Sequence, residues 1–319
     1  MIIKRIDNGI FADNAGHVFS IDNTTNLPGV QLLTRDNGRR YILDQIGGKY
    51  TAKQLTKKFV YACFGIKLVN GKIYHAEFGY IMPLLVNGNK KIGVGCYHFS
   101  VLPGTGLYEF IHNGKLYTVR GTCACDCIGC YAKTGNYNFP SVKKSLGIKT
   151  WLINNDLDFV YRAISAQLIA DNIKYCRIHA AGDFNKSIKY AFTWLKIAVN
   201  NSRVKFWTYT KIKQFETLFD GVQNANIVKS VIDGIGINYG HCDYIMATYD
   251  KLIAAGKKVH ICRCGIDPDQ HCINCKGCSA NEYVLFIEHS TEYVAAKDPN
   301  FAACAAMIEN QESEIIAAA

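Results

Sequence analysis

The sequence predicts an α/β protein with a β-rich N-terminal extension. Three observations predict it. Asn-Gly pairs recur through residues 1–112, at Asn8-Gly9, Asn37-Gly38, Asn70-Gly71, Asn87-Gly88 and Asn113-Gly114 at its edge. Each can supply the positive-φ pair of a tight hairpin. From about residue 113, strand-like and helix-like segments alternate over about six strands, the rhythm of parallel strands joined by crossover helices. Two groups of cysteines each begin where such a strand ends, which is where parallel α/β folds place their sites. The expected organisation is a β-rich region over 1–112, an α/β core with both cysteine groups over 113–290, and a helical tail over 291–319.

Each element has its own signal. GIKLVNGKIYHAEFGY (65–80) is the clearest hairpin, and KLYTVRG (115–121) reads as the strand that delivers the first cysteines. In 157–172, Leu157, Val160, Tyr161, Ile164 and Leu168 fall on one helical face. IKYCRIHA (173–180) reads as a buried strand, and 186–201 as a helix carrying Ile188, Phe192, Leu195 and Val199 at helical spacing. VKFWTYTK (204–211) is an aromatic and Thr-rich strand. A helical segment at 212–220, a strand near 226–237, a helix near 243–255 and strand KKVHIC (257–262) follow, with EYVLFIEH (282–289) as the last strand. The Ala-rich stretch 300–319 reads as a helix. The pattern alone leaves open whether the sheet is open or curved into a partial barrel.

Hydrophobic residues make up 49% of the 319 and charged residues 19%, which excludes a disordered or collagen-like chain. The formal net charge is +10, which favours anionic partners, although no dense Lys/Arg run concentrates it. MIIKRIDNGIF lacks the apolar stretch of a signal peptide. No run of about 18 apolar residues suggests a membrane span. The expectation is a soluble, cytoplasmic protein with no membrane partner.

The 14 cysteines are unevenly spread: four lie between 123 and 130 and five between 262 and 278. Thiols crowded this closely in a large chain read as metal ligands rather than as a disulfide framework. Cys63, Cys96, Cys176, Cys242 and Cys304 stand alone and read as core cysteines. In the first group, Cys123-x3-Cys127-x2-Cys130 can bind three irons of a cubane [4Fe-4S] cluster and leave the fourth iron open to a small molecule. Cys125 either closes that position or points away. The competing reading is a zinc knuckle, whose four thiolates shut the metal off from substrate.

This C-x3-C-x2-C loop resembles the signature of radical S-adenosylmethionine enzymes. The resemblance implies a partial (β/α)6 TIM-like barrel, an open iron that chelates S-adenosylmethionine, and reductive cleavage to a 5′-deoxyadenosyl radical. It also implies a reductant such as flavodoxin or ferredoxin. At the position of that superfamily's Gly-Gly-Glu-like motif stands Ala181-Gly182-Asp183, so Gly182 and Asp183 are expected at the S-adenosylmethionine amine, or else as a strand-to-helix turn. His179 and Arg177 on the preceding strand are candidate ligand contacts, His179 being equally readable as a satisfied core histidine. Asn238 is a candidate ribose contact and Lys211 a candidate anion contact. Gly129 stands where the superfamily has an aromatic, with Tyr131 just after it.

A second resemblance covers about 100–290. LPGTG (102–106), the CxxCYA of Cys127–Ala132, RIHAAGDF (177–184), FWTYTK (206–211) and a final C…CxxCxxC…FIEH block together resemble the phage gene product 88 family. For a phage-encoded chain the expected location is the host cytoplasm. In the final block, Cys272, Cys275 and Cys278 form a ferredoxin-like run. The resemblance adds Cys262 and leaves Cys264 spare, giving either an auxiliary cluster or a closed zinc or iron–sulfur staple, with His271 a possible zinc ligand and His289 a possible cavity residue. The functional expectation is therefore a radical S-adenosylmethionine enzyme of unknown substrate. A nucleotide, a nucleic acid and an acidic peptide all suit the basic charge. The alternatives are a zinc-containing nucleic-acid-binding protein and a non-catalytic iron–sulfur relative.

Overall fold

The structure is a computed structural model and describes residues 1–23, 25–88, 92–124, 132, 135–229, 239–240, 242–262, 271–272, 274–275 and 277–287. Its first six strands are β1 (Ile2–Asp7), β2 (Ile10–Asp13), β3 (Val18–Ile21), β4 (Gln31–Arg35), β5 (Arg40–Ile46) and β6 (Lys49–Gln54). They form a closed antiparallel barrel, sealed by Ile2 and Ile3 of β1 pairing with Thr51 and Tyr50 of β6. Inward and outward residues alternate, so Ile3, Phe11, Phe19, Leu33, Tyr41 and Ala52 fill the barrel while polar residues and Ile2, Ile6, Val18 and Ile46 face outward. Closure leaves no free edge for another chain to pair with.

The short helix α1 (Lys57–Cys63), capped by Thr56, joins the barrel to a small meander of β7 (Leu68–Val69), β8 (Lys72–His75) and β9 (Gly79–Ile81). Four of the five Asn-Gly pairs turn hairpins: Asn8-Gly9 joins β1 to β2 and Asn37-Gly38 joins β4 to β5, each with only its glycine at positive φ, and two more have both residues there. Asn70-Gly71 (φ 49° and 74°) turns β7 into β8, and Asn113-Gly114 (φ 50° and 78°) turns β12 (Leu107–His112) into β13 (Lys115–Arg120). Asn87-Gly88 makes no tight hairpin: the Asn87 side chain accepts the N–H groups of Gly88 and Gly95 and shapes a wider loop.

That loop links β10 (Val86–Asn87) to β11 (Cys96–His98), the start of the main sheet. Three helices flank its centre: α2 (Pro140–Asn155), α3 (Leu157–Ala170) and, after β14 (Tyr175–Arg177), α4 (Ile188–Asn200). Pro140 opens α2, where its missing N–H costs nothing. Asp156 and Ser187 cap α3 and α4 through the N–H groups of Phe159 and Tyr190. Then come β15 (Lys205–Thr210), β16 (Ala225–Lys229), β17 (Tyr239–Gly240), α5 (Cys242–Ala254), β18 (Val259–Cys262), α6 (Gly277–Ala280) and β19 (Tyr283–Ile287). The strand order is β10-β11-β14-β15-β16-β19-β17, with β18 also on β19; only the β10–β11 pairing is antiparallel.

This architecture corrects the expected partial (β/α)6 TIM-like barrel. The closed barrel is the antiparallel one at the N-terminus, and the α/β part is a mixed, open sheet. The decisive element is β13. Sequence makes it the first strand of a parallel core, yet it pairs from Lys115 to Arg120 with β12 alone. Phe110 of β12 and Tyr117 and Val119 of β13 bury their side chains in the core that includes α2, and Gly147 of α2 leaves room for the Phe110 ring. A six-residue antiparallel ladder with one buried face satisfies the strand locally, so the sheet starts instead at β11.

The segment expected to be helical at 212–220 contains a 3₁₀ turn, Lys213–Phe215. The expected tail helix at 300–319 lies outside the described residues. No described helix is long and apolar enough to cross a membrane.

The two faces of the sheet are covered differently. On one, Cys176, Phe206 and Ile227 join the large core that contains Leu168, Trp194 and Ile197 of α3 and α4. On the other, Cys96, Trp207, Val228 and Val284 meet Cys262, Cys278 and the edge of Cys272.

Candidate functional site: two cysteine-bearing segments

The first cysteine segment is anchored by a reciprocal clasp. Cys123 donates its N–H to Gly104 O at 3.0 Å, and Gly104 donates its N–H to Cys123 Sγ at 3.2 Å. Just before it, Thr122 N–H and hydroxyl both reach Leu102 O, and Gly121 N–H reaches Gly106 O. A Cβ at Gly121 would lie 2.3 Å from Gly104 O, so glycine is what lets LPGTG lie along the cysteine loop. Leu102 is itself held by the Thr150 hydroxyl of α2 at 2.9 Å. Cys125, Cys127, Gly129, Cys130 and Tyr131 lie outside the described residues, as do Asn238, Cys264, His289 and Cys304.

The AAGDF loop after β14 supports this clasp from below. Asp183 N–H donates to the Thr122 hydroxyl at 3.0 Å, and Asn185 N–H to Thr122 O at 3.1 Å. Gly182 sits at φ +83°, and a Cβ there would lie 2.4 Å from Val101 Cγ2 and 2.6 Å from Thr122 Oγ1. Both the left-handed backbone and the close approach require glycine.

The Asp183 carboxylate is 5% exposed and receives three internal hydrogen bonds: from Phe184 N–H (2.8 Å), the Thr210 hydroxyl (2.8 Å) and Lys211 N–H (3.0 Å). Burial nevertheless pushes its pKa up to about 6, against the lowering effect of those donors. Asp183 therefore ties the end of β15 to the loop under Cys123.

His179 is enclosed in the core at φ +58°. Its Nε2 shares a 2.7 Å hydrogen bond with the Tyr190 hydroxyl, and its Nδ1 lies 3.4 Å from Thr208 Oγ1. Burial, then the charge of Arg177, lowers its pKa to about 3, so it is neutral. Arg177 lies on the other face, its guanidinium 4.9 Å from the centre of the Tyr209 ring.

The second cysteine segment lies across that face. Tyr209 of β15 and Cys278 of α6 share a 2.7 Å hydrogen bond through OH and Sγ. Asn226 of β16 donates to Cys278 O (2.8 Å) and Asn281 O (2.9 Å), fixing α6 to the sheet. Gly277 lets α6 approach His260 of β18: a Cβ there would lie 2.1 Å from the imidazole. Cys275 Sγ is 3.4 Å from His260 Nε2.

Burial, then the neighbouring Cys262, raises the Cys278 thiol well above its usual pKa. Burial, then Cys272, raises Cys96 to about 12. Cys96 is thus part of this thiol group, although its sequence position, far from the other four, hides it. The only signal that could have found it is its place at the start of a strand beside β14. Cys262, Cys272, Cys275 and Cys278 share a neighbourhood, but among the described residues no three His, Cys, Asp or Glu side chains are arranged to hold one metal ion.

At the first segment, the Cys123 sulfur that accepts a backbone N–H is of the ligand type that iron–sulfur clusters use. In the second segment Cys262 and Cys278 are buried, and Cys272 and Cys275 are half-buried.

No curated protein and no solved structure matches the chain. The family model described as gene product 88 matches residues 87–306, which takes in the main sheet, the LPGTG clasp and both cysteine segments. That span is more than two thirds of the 319 residues, so the chain belongs to the gene product 88 family of phage proteins.

Proposed function

We propose that the protein is an iron–sulfur enzyme of the radical S-adenosylmethionine kind, in which Cys123, Cys127 and Cys130 hold a [4Fe-4S] cluster with one open iron. The observation that carries this reading is the Gly104 N–H donated to Cys123 Sγ at 3.2 Å. A backbone donor stabilises sulfur in its anionic form and raises the potential of a cluster it ligates. Such a cluster, when bound and reduced, supplies one electron to the sulfonium of S-adenosylmethionine. The chain's own residues do the positioning. Gly104, Leu102 and Thr122 hold the loop's first ligand in place, and Gly182 and Asp183 brace it from beneath. The reading rests on the loop and needs no closed α/β barrel. Asp183 is already engaged by three donors, so in this proposal it fixes the loop rather than holding the substrate amine.

The test is anaerobic purification with iron, sulfide and zinc analysis, followed by dithionite and S-adenosylmethionine. The expected result is a brown protein that releases 5′-deoxyadenosine. Cys127→Ser should lose about four irons per chain and all 5′-deoxyadenosine release. A second cluster would appear as about eight irons in the wild type, with about four surviving in Cys127→Ser. Colourless, zinc-loaded protein would overturn the reading and leave a metal-stapled scaffold.

A further inference from the structure

A cavity of about 630 Å³ lies between α2 and the segment 80–87, and none of the described cysteines lines it. Its size is in the range of small-molecule sites. One wall is apolar: Ile81, Met82, Pro83, Leu84, Leu85 and Ile148. The polar lining is one-sided in charge. Lys72, Lys144 and Lys149 contribute three cations, with Ser141, Ser145 and His112 beside them, and among the described residues no Asp or Glu lines the cavity.

The wall is held rigidly. The Gln167 side chain both accepts the Leu85 N–H (2.8 Å) and donates to Leu85 O (2.9 Å). Ser141, Lys144, Ser145, Ile148 and Lys149 follow helical spacing, so α2 presents them along one stripe.

Lys149 is the informative group. It is 5% exposed; its Nζ lies 5.6 Å from the centre of the Phe99 ring, and its charge acts on the neighbouring His98. Among the described residues no carboxylate pairs with it. Burying an ammonium without an anion is costly, and burial alone lowers its pKa to about 8. His112 adds a second unsatisfied group: its Nε2 donates to Phe78 O at 2.8 Å, while its buried Nδ1 has no partner among the described residues.

We propose that this cavity binds a small anionic amphiphile, a carboxylate or phosphate head on an apolar body, with Lys149 as the counter-ion of the head. Lys144 and Lys72 add longer-range attraction at the partly exposed side, and the Ile81–Leu85 wall and Ile148 take the apolar body. This site is independent of the cluster reading, and its test needs no metal.

Titration calorimetry of the full chain with octanoate, octyl phosphate and octanol separates the possibilities. Octanoate and octyl phosphate report the two head groups, and octanol reports the apolar wall alone. The expected result is that at least one anionic probe binds ten-fold or more tightly than octanol. Lys149→Met, which keeps the length of the side chain and removes the charge, should abolish that ten-fold preference. Should Lys149→Met fail to fold, the double variant Lys72→Met/Lys144→Met changes only more accessible positions and should weaken the anionic probe at least three-fold. Equal binding of octanol, no binding of either anionic probe at millimolar concentration, or unchanged anionic binding in these variants would overturn the proposal.

Discussion

Cys123 and Cys278 both belong to crowded cysteine segments, but the structure holds them by different means. Cys123 is half-buried and fixed through backbone hydrogen bonds from LPGTG, with the AAGDF loop beneath it. Cys278 is 7% exposed, packed on Trp207 and Val284, and satisfied by a phenol. Both sulfurs have a hydrogen-bond partner, but at Cys278 burial among apolar side chains and other thiols outweighs it and favours the neutral thiol. Similar spacing in sequence therefore produces one cysteine held by backbone hydrogen bonds on a loop and one packed against a face of the sheet.

The largest test of that contrast is Gly182→Ala. The new methyl meets Val101 and Thr122 and forces an alanine to φ +83°, a combination expected to cost about 3 kcal/mol. Urea unfolding of the apo protein should show that loss. Alkylation should show Cys123 becoming more reactive while Cys278 stays protected. Equal exposure of both would mean that the segments form one cooperative unit.

Asp183→Asn sharpens the comparison through pH. A buried carboxyl raised from its ordinary 3.8 to about 6 binds its proton more tightly in the folded state. Its contribution is therefore fully present below about pH 4 and lost as pH rises through 6. His179 runs the other way: lowered from 6.5 to about 3, it contributes above about pH 6.5 and that contribution is lost as pH falls toward 3. In the wild type the two effects oppose each other between pH 4 and 6. Asp183→Asn removes the offset, so stability should fall more steeply on acidification, by about 2 kcal/mol across that window. Parallel profiles for the two proteins in urea melts at pH 4, 5, 6 and 7 would refute the assignment.

Much of this was readable in advance, and the failures have physical causes. Helices α3 and α4 announced themselves because their buried faces repeat at helical period and Asp156 and Ser187 stand at their starts. Asn70-Gly71 and Asn113-Gly114 marked real hairpins because the turn chemistry is local. Pairing partners are not local. The alternation of β13 fits a hairpin or a sheet equally well, and only the buried Tyr117 and Val119 against α2 decide it. Helix α2 itself could have been found from Pro140 at its first position. Its interior Gly147 and polar KKS start weakened the signal. Cys96 looked solitary because its thiol neighbours are reached only through the β11–β14 pairing.

Asn226→Ala addresses the packing of α6 on the sheet from its hinge. It removes the donor to Cys278 O and Asn281 O and leaves two part-buried carbonyls short of a partner, a loss of about 2 kcal/mol. Hydrogen exchange should rise across 277–281 and stay unchanged at Thr122 and Cys123. A rise at both would show that α6 and the clasp open together.

The smallest expected effect is that of Tyr209→Phe. The ring remains under the Arg177 guanidinium and beside Phe286, at 4.9 Å and 5.6 Å between centres, so packing and cation–π attraction persist. Only the hydroxyl bonded to Cys278 is lost. A buried thiol is a weak hydrogen-bonding group, so the stability change should be about 1 kcal/mol. The thiol also loses a partner that lowers its pKa, so Cys278 should become still harder to deprotonate and slower to alkylate in the folded protein at pH 9. Faster alkylation with unchanged stability would mean that the phenol acts as a lid over the sulfur, and α6 would then have to be regarded as an access-controlled site rather than as packing.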